Sequence, residues 1–332
     1  MNKLDALLAQ ILSPIEKRTP KIYSYMGANP QEKRQKQLFS HVHSKPWEWM
    51  TNYTPQTEWI EDAGKFIWLA LFLTELGAGI YFFSLFFNNV VGMLIGWIVC
   101  MVLGCFSFLL HTGHPERLYR APLKFKNSWI SRGVTFVSLL GILGLINMFI
   151  VGAGAHSIFL SIILGIVCLM VMIYAGMVLS FNNGLPMWNT GLVPFSFVIA
   201  ALWGGAEILL AVHIIGGLPI ESIEHWIRFL LPSFTLIIIL YLYSVWISSD
   251  AGKASVNRLI FGDLSTYFYI GVVLIGLIIP ILVLAYSFTG ATGAFPKFVY
   301  LVSLICGLIG DLTMRYCIMK SAYYNPILES SS

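Results

Sequence analysis

Eight long apolar stretches, divided by short polar interruptions, dominate the chain beyond residue 65. They run near 66–87, 91–110, 130–153, 157–180, 193–214, 226–248, 264–288 and 297–320. Each is roughly 20 residues long, the length an α-helix needs to cross a hydrocarbon core. The runs are continuously apolar, whereas strands of a membrane barrel alternate and are about half as long. The pattern predicts an all-α integral membrane protein with eight transmembrane helices and a membrane domain over 66–322. Residues 1–65 break the pattern: they are polar and rich in Lys, Glu, Gln and Pro, without the apolar core and cleavage site of a signal peptide. They read as a retained tail, in which 4–15 is either an amphipathic surface helix or a loosely ordered segment. Residues 323–332 form a short C-terminal tail.

Composition agrees with the membrane assignment. The 332 residues are 57% hydrophobic and 11% charged, a balance foreign to soluble domains of this size. Charge then orients the chain. Eight spans put both termini on one side with the loops after helices 2, 4 and 6, and that side holds eighteen of the 20 Lys and Arg. The positive-inside rule therefore places both termini in the cytoplasm of a multi-pass protein of the cell's inner membrane. Membrane lipid is the expected surrounding, and nucleic acid is not an expected partner. The loops after helices 2, 4 and 6 are also the longer ones, with Pro, Trp, Asn and Arg. A faint echo links TELGAGIYFF in helix 1 with LWGGAEILLA in helix 5. It suggests two four-helix bundles in parallel repeat, although small residues at helix contacts would produce the same pattern.

Ionisable residues inside the spans are the first candidates for chemistry. Glu75, Glu207 and Asp311 occupy positions where a charged carboxylate costs roughly 3 kcal/mol. They read either as a proton pathway or as neutral acids hydrogen-bonded between helices. Asp311 and Arg315 are four residues apart, which predicts an ion pair on one helical face. His111, His114, His156, His213 and His225 fall near helix ends, not facing one another inside the bundle as haem ligation requires. HVH at 41–43 lacks a companion cluster. The five cysteines all lie in spans without a CxxC spacing and read as packing residues. No haem and no metal is therefore expected in this chain.

The densest polar group follows helix 2. His111, His114, Arg117 and Arg120 stand at the membrane boundary, with Asn127, Ser128, Trp129 and Arg132 opening helix 3. Contact with lipid phosphates accounts for Arg, Lys and Trp there, but not for two histidines three residues apart. Helix 4 returns to the same face with Tyr174, Ser180, Asn182 and Asn183, followed by Pro186, Trp188 and Asn189. Histidine and tyrosine can each hydrogen-bond a quinone carbonyl and exchange a proton with it. A cleft for a lipophilic redox carrier is chemically reasonable between these segments.

These residues resemble the NrfD-type family, the membrane subunits of polysulfide reductase and related enzymes. YAGMVLSFNNGLPMWNTGLVP over 174–194 looks like its Tyr-x-Gly, helix-end serine, Pro-x-Trp-Asn-Thr and helix-opening proline. HTGHPERLYRAPLKFKNSWISRG is similar to its second signature, and GDLTMRYCIMKSAYYNP to its last helix. The resemblance covers about 66–325. It implies a subunit that exchanges electrons and protons with menaquinone or ubiquinone, beside a ferredoxin-like iron–sulfur subunit and a molybdopterin catalytic subunit. It also implies a quinone site drawn from His111, His114, Arg117, Trp129, Tyr174, Ser180, Asn182 and Trp188, with His111 and Tyr174 as the reactive pair. His111 stands where many relatives carry an acid, and His114 where Arg or Lys is common. A competing reading is a secondary transporter or proton-conducting subunit built on Glu75, Glu207, Asp311 and Arg315. It expects broken helices at matched positions of both halves, and only Pro280 falls well inside a span.

Overall fold

Every apolar run folds as a helix in the computed structural model, which describes residues 53–61, 64–112, 114–287 and 297–326. The segment expected at 4–15 and the HVH triplet at 41–43 lie outside the described residues. The helices are α1 (Gly64–Phe86), α2 (Val90–His111), α3 (Trp129–Gly152), α4 (Ile158–Ser180), α5 (Leu192–Gly216) and α6 (Glu221–Ser248). They continue with a short α7 (Asp250–Ile260), α8 (Tyr267–Ser287) and α9 (Lys297–Ser321). All but α7 are long and apolar enough to cross a membrane. Most boundaries agree with hydropathy to within three residues. The exception is α6, which begins five residues before the expected 226. Its first turn holds Glu221 and Glu224, residues too polar for a hydropathy window but favoured where a helix N-terminus presents free N–H groups.

Short turns carry their own local instructions. Asn88 adopts a left-handed conformation (φ 47°) before the side chain of Asn89 caps α2 by accepting from Gly92 N at 2.9 Å. Ser128, Ser157 and Ser249 cap α3, α4 and α7 in the same manner. Gly217 ends α5 at φ 66°, a conformation that glycine adopts without steric cost. α8 winds with wide π-type hydrogen bonds over Tyr267–Ile278 and returns to α geometry at Ile279. Pro280, which has no N–H to donate, lies just beyond that change.

The helices assemble as two four-helix bundles. α1 packs against α2 and α4, and α3 against α4 and α2; α5 packs against α6 and α9, and α8 against α9 and α6. α1 and α5 lie back to back between the two groups. Their approach is close because a methyl group at Gly79 would strike the Ala201 carbonyl, and one at Gly205 would strike the Gly79 backbone. Without a hydrophobic drive inside lipid, such small residues allow the backbone contact that holds helices together. Gly276 and Gly310 play the same part between α8 and α9.

One end of this unit is tied by the segments that flank it. Strand β1 (Thr54–Pro55) pairs antiparallel with β2 (Tyr323–Tyr324), so the residues before α1 meet those after α9. Gln56 N donates to Ala322 O at 2.9 Å, and Lys320 Nζ reaches Glu61 at 3.0 Å. Residues 53–61, polar enough to be grouped with the tail by hydropathy, are thus packed onto the membrane domain, with Gln56 and Ile60 buried. α7 lies at the same end: Ser255 Oγ accepts from Tyr323 N, and Arg258 Nη1 donates to Lys320 O. Its buried residues Ala251, Gly252, Ser255, Val256 and Leu259 recur at helical spacing, the pattern of a helix lying on a surface. This end carries the cationic loops and is called the charged face below.

Candidate functional site

Arg315 is the centre of the polar interior. It is 2% exposed, in α9, six residues from the helix end, which is roughly 9 Å along the axis. A guanidinium cannot shed its charge there, so its surroundings must supply the counter-charge. They do: Nε donates to Asp311 at 3.2 Å, as the four-residue spacing predicts, and Nη1 donates to Glu75 of α1. The guanidinium also lies over the rings of Phe197 at 4.3 Å and Phe72 at 5.5 Å. The pair therefore stitches α1 of one bundle to α9 of the other, against α5. One cation faces two carboxyl groups, and Glu75 Oε1 has no hydrogen-bond partner among the described residues.

Next to Glu75 in sequence, Thr74 extends this polar interior to α4. Its hydroxyl donates to Ala70 O at 2.8 Å and lies 3.2 Å from the Tyr174 hydroxyl. Because Ala70 O only accepts, the Thr74 proton points there and the Tyr174 hydroxyl donates to Thr74. The Tyr174 ring packs against Gly133 of α3, where even a methyl group would collide with it. That contact explains glycine at 133, at a helix position with ordinary backbone angles. Trp129, one turn from Gly133, lies under the Arg132 guanidinium (4.3 Å) and meets the tilted ring of Phe181 (5.8 Å) at the membrane boundary. Arg132 in turn donates to Phe125 O and Lys126 O, tying the loop to the start of α3.

The other sequence candidates are distributed unevenly. His111 is half-buried at the end of α2. It lies about 10 Å along the helix from Gly104, the residue that packs on Thr74. His114 is exposed, and so is Arg117, whose nearest carboxylate is Glu116 at 3.9 Å. Ser180 donates to Met177 O, and Asn182 accepts from Gly184 N, both local bonds at the end of α4. Trp188 is sealed in the core: its Nε1 donates to Ile318 O at 3.0 Å and its ring meets Trp59 edge-on at 5.5 Å. It braces the loop between α4 and α5 against α9 and the segment before α1. Glu207 belongs to the second bundle, against Trp203 and Gly307. The structure thus joins Glu75, Asp311 and Arg315 in one cluster and sets Tyr174 on Thr74, the residue before Glu75, while Glu207 lies in the other bundle and Trp188 bonds the backbone of α9 at Ile318.

Thr74 and Gly133 were invisible to sequence reasoning, because a threonine and a glycine inside apolar helices are ordinary packing residues. The Glu75–Arg315 pair was equally hidden, since the two residues lie 240 positions apart. Glu224 and Arg228 were legible as an i, i+4 pair of opposite charge at the start of α6; they bond at 2.7 Å. Among the described residues no group of three His, Cys, Asp or Glu is arranged to hold a metal ion.

A family model described as polysulphide reductase, NrfD matches residues 60–326. Among curated proteins no relative matches the chain.

Proposed function

The chain belongs to the NrfD polysulphide reductase family of oxidoreductase membrane subunits, and from that premise we propose that it exchanges electrons and protons between the membrane quinone pool and an iron–sulfur partner. The observation that carries this reading is the Tyr174–Thr74 hydrogen bond beside the buried Glu75–Arg315–Asp311 cluster. A phenol hydroxyl bonded to Thr74, whose sequence neighbour Glu75 belongs to a buried group with more carboxyl groups than cations, is equipped to give and recover a proton away from bulk water.

A quinone supplies acceptance and release of two electrons and two protons when bound. The chain's own residues divide the rest of the work. Trp129 and Phe181 offer ring faces at the membrane boundary, where a lipid-soluble carrier arrives. His111, at the end of α2, donates or accepts a hydrogen bond toward the carrier's head. Tyr174 delivers or receives a proton, with Thr74 holding its hydroxyl until then. Glu75 and Asp311 share the charge of Arg315 and replace the proton that Tyr174 loses. The cationic loop with Arg117 and Arg120 receives an acidic partner, a ferredoxin-like iron–sulfur subunit that leads to a molybdopterin catalytic subunit. The charge bias puts this face and both termini in the cytoplasm.

Purification of the full chain under mild detergent, followed by identification of the subunits that remain bound and by absorption spectroscopy for iron–sulfur centres, tests the assignment. Retention of an iron–sulfur subunit reduced by a quinol analogue is the expected result. A chain that purifies alone and moves a solute across liposomes overturns it in favour of the transporter reading.

A further inference from the structure

A second polar feature lies in the other bundle, away from Tyr174. Between α5, α6, α8 and α9 a cavity of about 20 Å³ has room for a water molecule. Its walls are aliphatic except for four side chains: Glu207, Glu224, Tyr300 and Ser303. Glu207 is 5% exposed, and its Oε2 has no hydrogen-bond partner among the described residues. It sits nine residues before the end of α5, roughly 14 Å from the face opposite the charged one.

The mouth of the cavity is built differently. Glu224, in the first turn of α6, accepts from Arg228 at 2.7 Å and from Tyr300 of α9 at 3.3 Å. Arg228 also donates to Ser287 at the end of α8. Three helix ends are therefore drawn together by the Glu224–Arg228 pair at the opposite face, over the chamber that leads inward to Glu207. An acid with an unbonded Oε2 at the inner end and an ion-paired acid at the outer end, with a water-sized space between, form a stepwise route for a proton.

We propose that this chamber carries protons between the opposite face and Glu207, with the Glu224–Arg228–Tyr300 group as its gate. A proton leaves water at that face, crosses the chamber water, and binds the Glu207 carboxylate as that group becomes neutral; the return path is the reverse. The groups near Glu207 are Trp203 on α5 and Cys306 on α9, with Tyr300 of α9 and Glu224 of α6 on the same chamber wall and Arg228 behind Glu224. This inference develops one of the two readings that the sequence leaves open for Glu207, the proton pathway, and does not depend on quinone chemistry.

Infrared spectroscopy decides it in the full-length protein. In difference spectra, a protonated-carboxyl band is expected that Glu207→Gln removes. Its exchange rate in heavy water should change at least tenfold in Glu224→Gln, whether sodium or choline is present. A band that survives Glu207→Gln, an exchange rate that Glu224→Gln leaves unchanged, or exchange that requires sodium overturns the proposal. The readout uses no quinone, so it remains decisive for the chamber even in a protein without quinone activity.

Discussion

Glu75 and Arg315 lie 240 residues apart in the chain and form a buried ion pair between the first and last membrane-spanning helices. The pair spans the two bundles, so its cost and its benefit both fall on the junction that holds them together. Breaking a buried pair from one side leaves an uncompensated charge, an effect of about 3–5 kcal/mol, whereas removing both partners is far less harmful. Glu75→Gln is expected to destabilise less than Arg315→Met, since Asp311 remains to balance Arg315. The double variant Glu75→Gln with Arg315→Met is expected to recover part of the loss. Thermal unfolding of the purified protein in detergent measures all three, and a double variant as unstable as the sum of its parts contradicts the pairing.

Tyr174→Phe removes a hydroxyl that donates to Thr74 and leaves the ring in place. Loss of that bond is expected to lower stability by about 1 kcal/mol. Quinone-dependent electron transfer is expected to fall by about 10²-fold or more, as for loss of a positioned proton donor. Thr74→Val, which keeps Tyr174, is expected to reduce turnover less than Tyr174→Phe does. A turnover assay beside an unfolding scan separates the two effects.

Gly133→Ala places a methyl group against the Tyr174 ring. Overpacking of this type costs about 1–3 kcal/mol, and here it pushes the hydroxyl away from Thr74. Turnover is expected to fall along with stability. Gly152→Ala, at a position with open space around it, is expected to change neither.

The Arg258–Asp263 pair outside the membrane gives a pH signature. The hydrogen bond and charge of Arg258 hold the Asp263 carboxyl below its ordinary range. A depressed folded-state value means that its stabilisation is present above the ordinary carboxylate range and is lost as pH falls through the lowered value. Asp263 is 60% exposed, so the gain is screened to about 0.2–1 kcal/mol. Asp263→Asn is expected to unfold more readily than wild type at neutral pH. The two should converge in acid, as thermal scans across pH can show.

Hydropathy located all eight spans, because lipid demands length and apolarity of any helix that crosses it. The echo between TELGAGIYFF and LWGGAEILLA fell on α1 and α5, the two helices that meet at Gly79 and Gly205. Asp311 and Arg315 were legible as neighbours from helical spacing. What remained hidden was contact between distant helices. Nothing in the sequence said that Arg315 also reaches Glu75, that Thr74 holds Tyr174, or that Trp188 turns inward to Ile318. Trp188 belongs to the family-like motif, yet its indole braces a loop, so motif membership alone did not reveal its surroundings. α7 escaped because an 11-residue amphipathic helix offers no apolar run.

Quinone reactivity is proposed for the His111 and Tyr174 end of the molecule. Its most direct test is quinol-dependent reduction of the co-purified iron–sulfur subunit, measured in wild type, His111→Ala and Tyr174→Phe, with an artificial reductant as the control that bypasses the membrane chain. Both variants are expected to lose at least tenfold of the quinol-dependent rate while the bypass rate stays constant. Wild-type quinol rates in both variants contradict the claim.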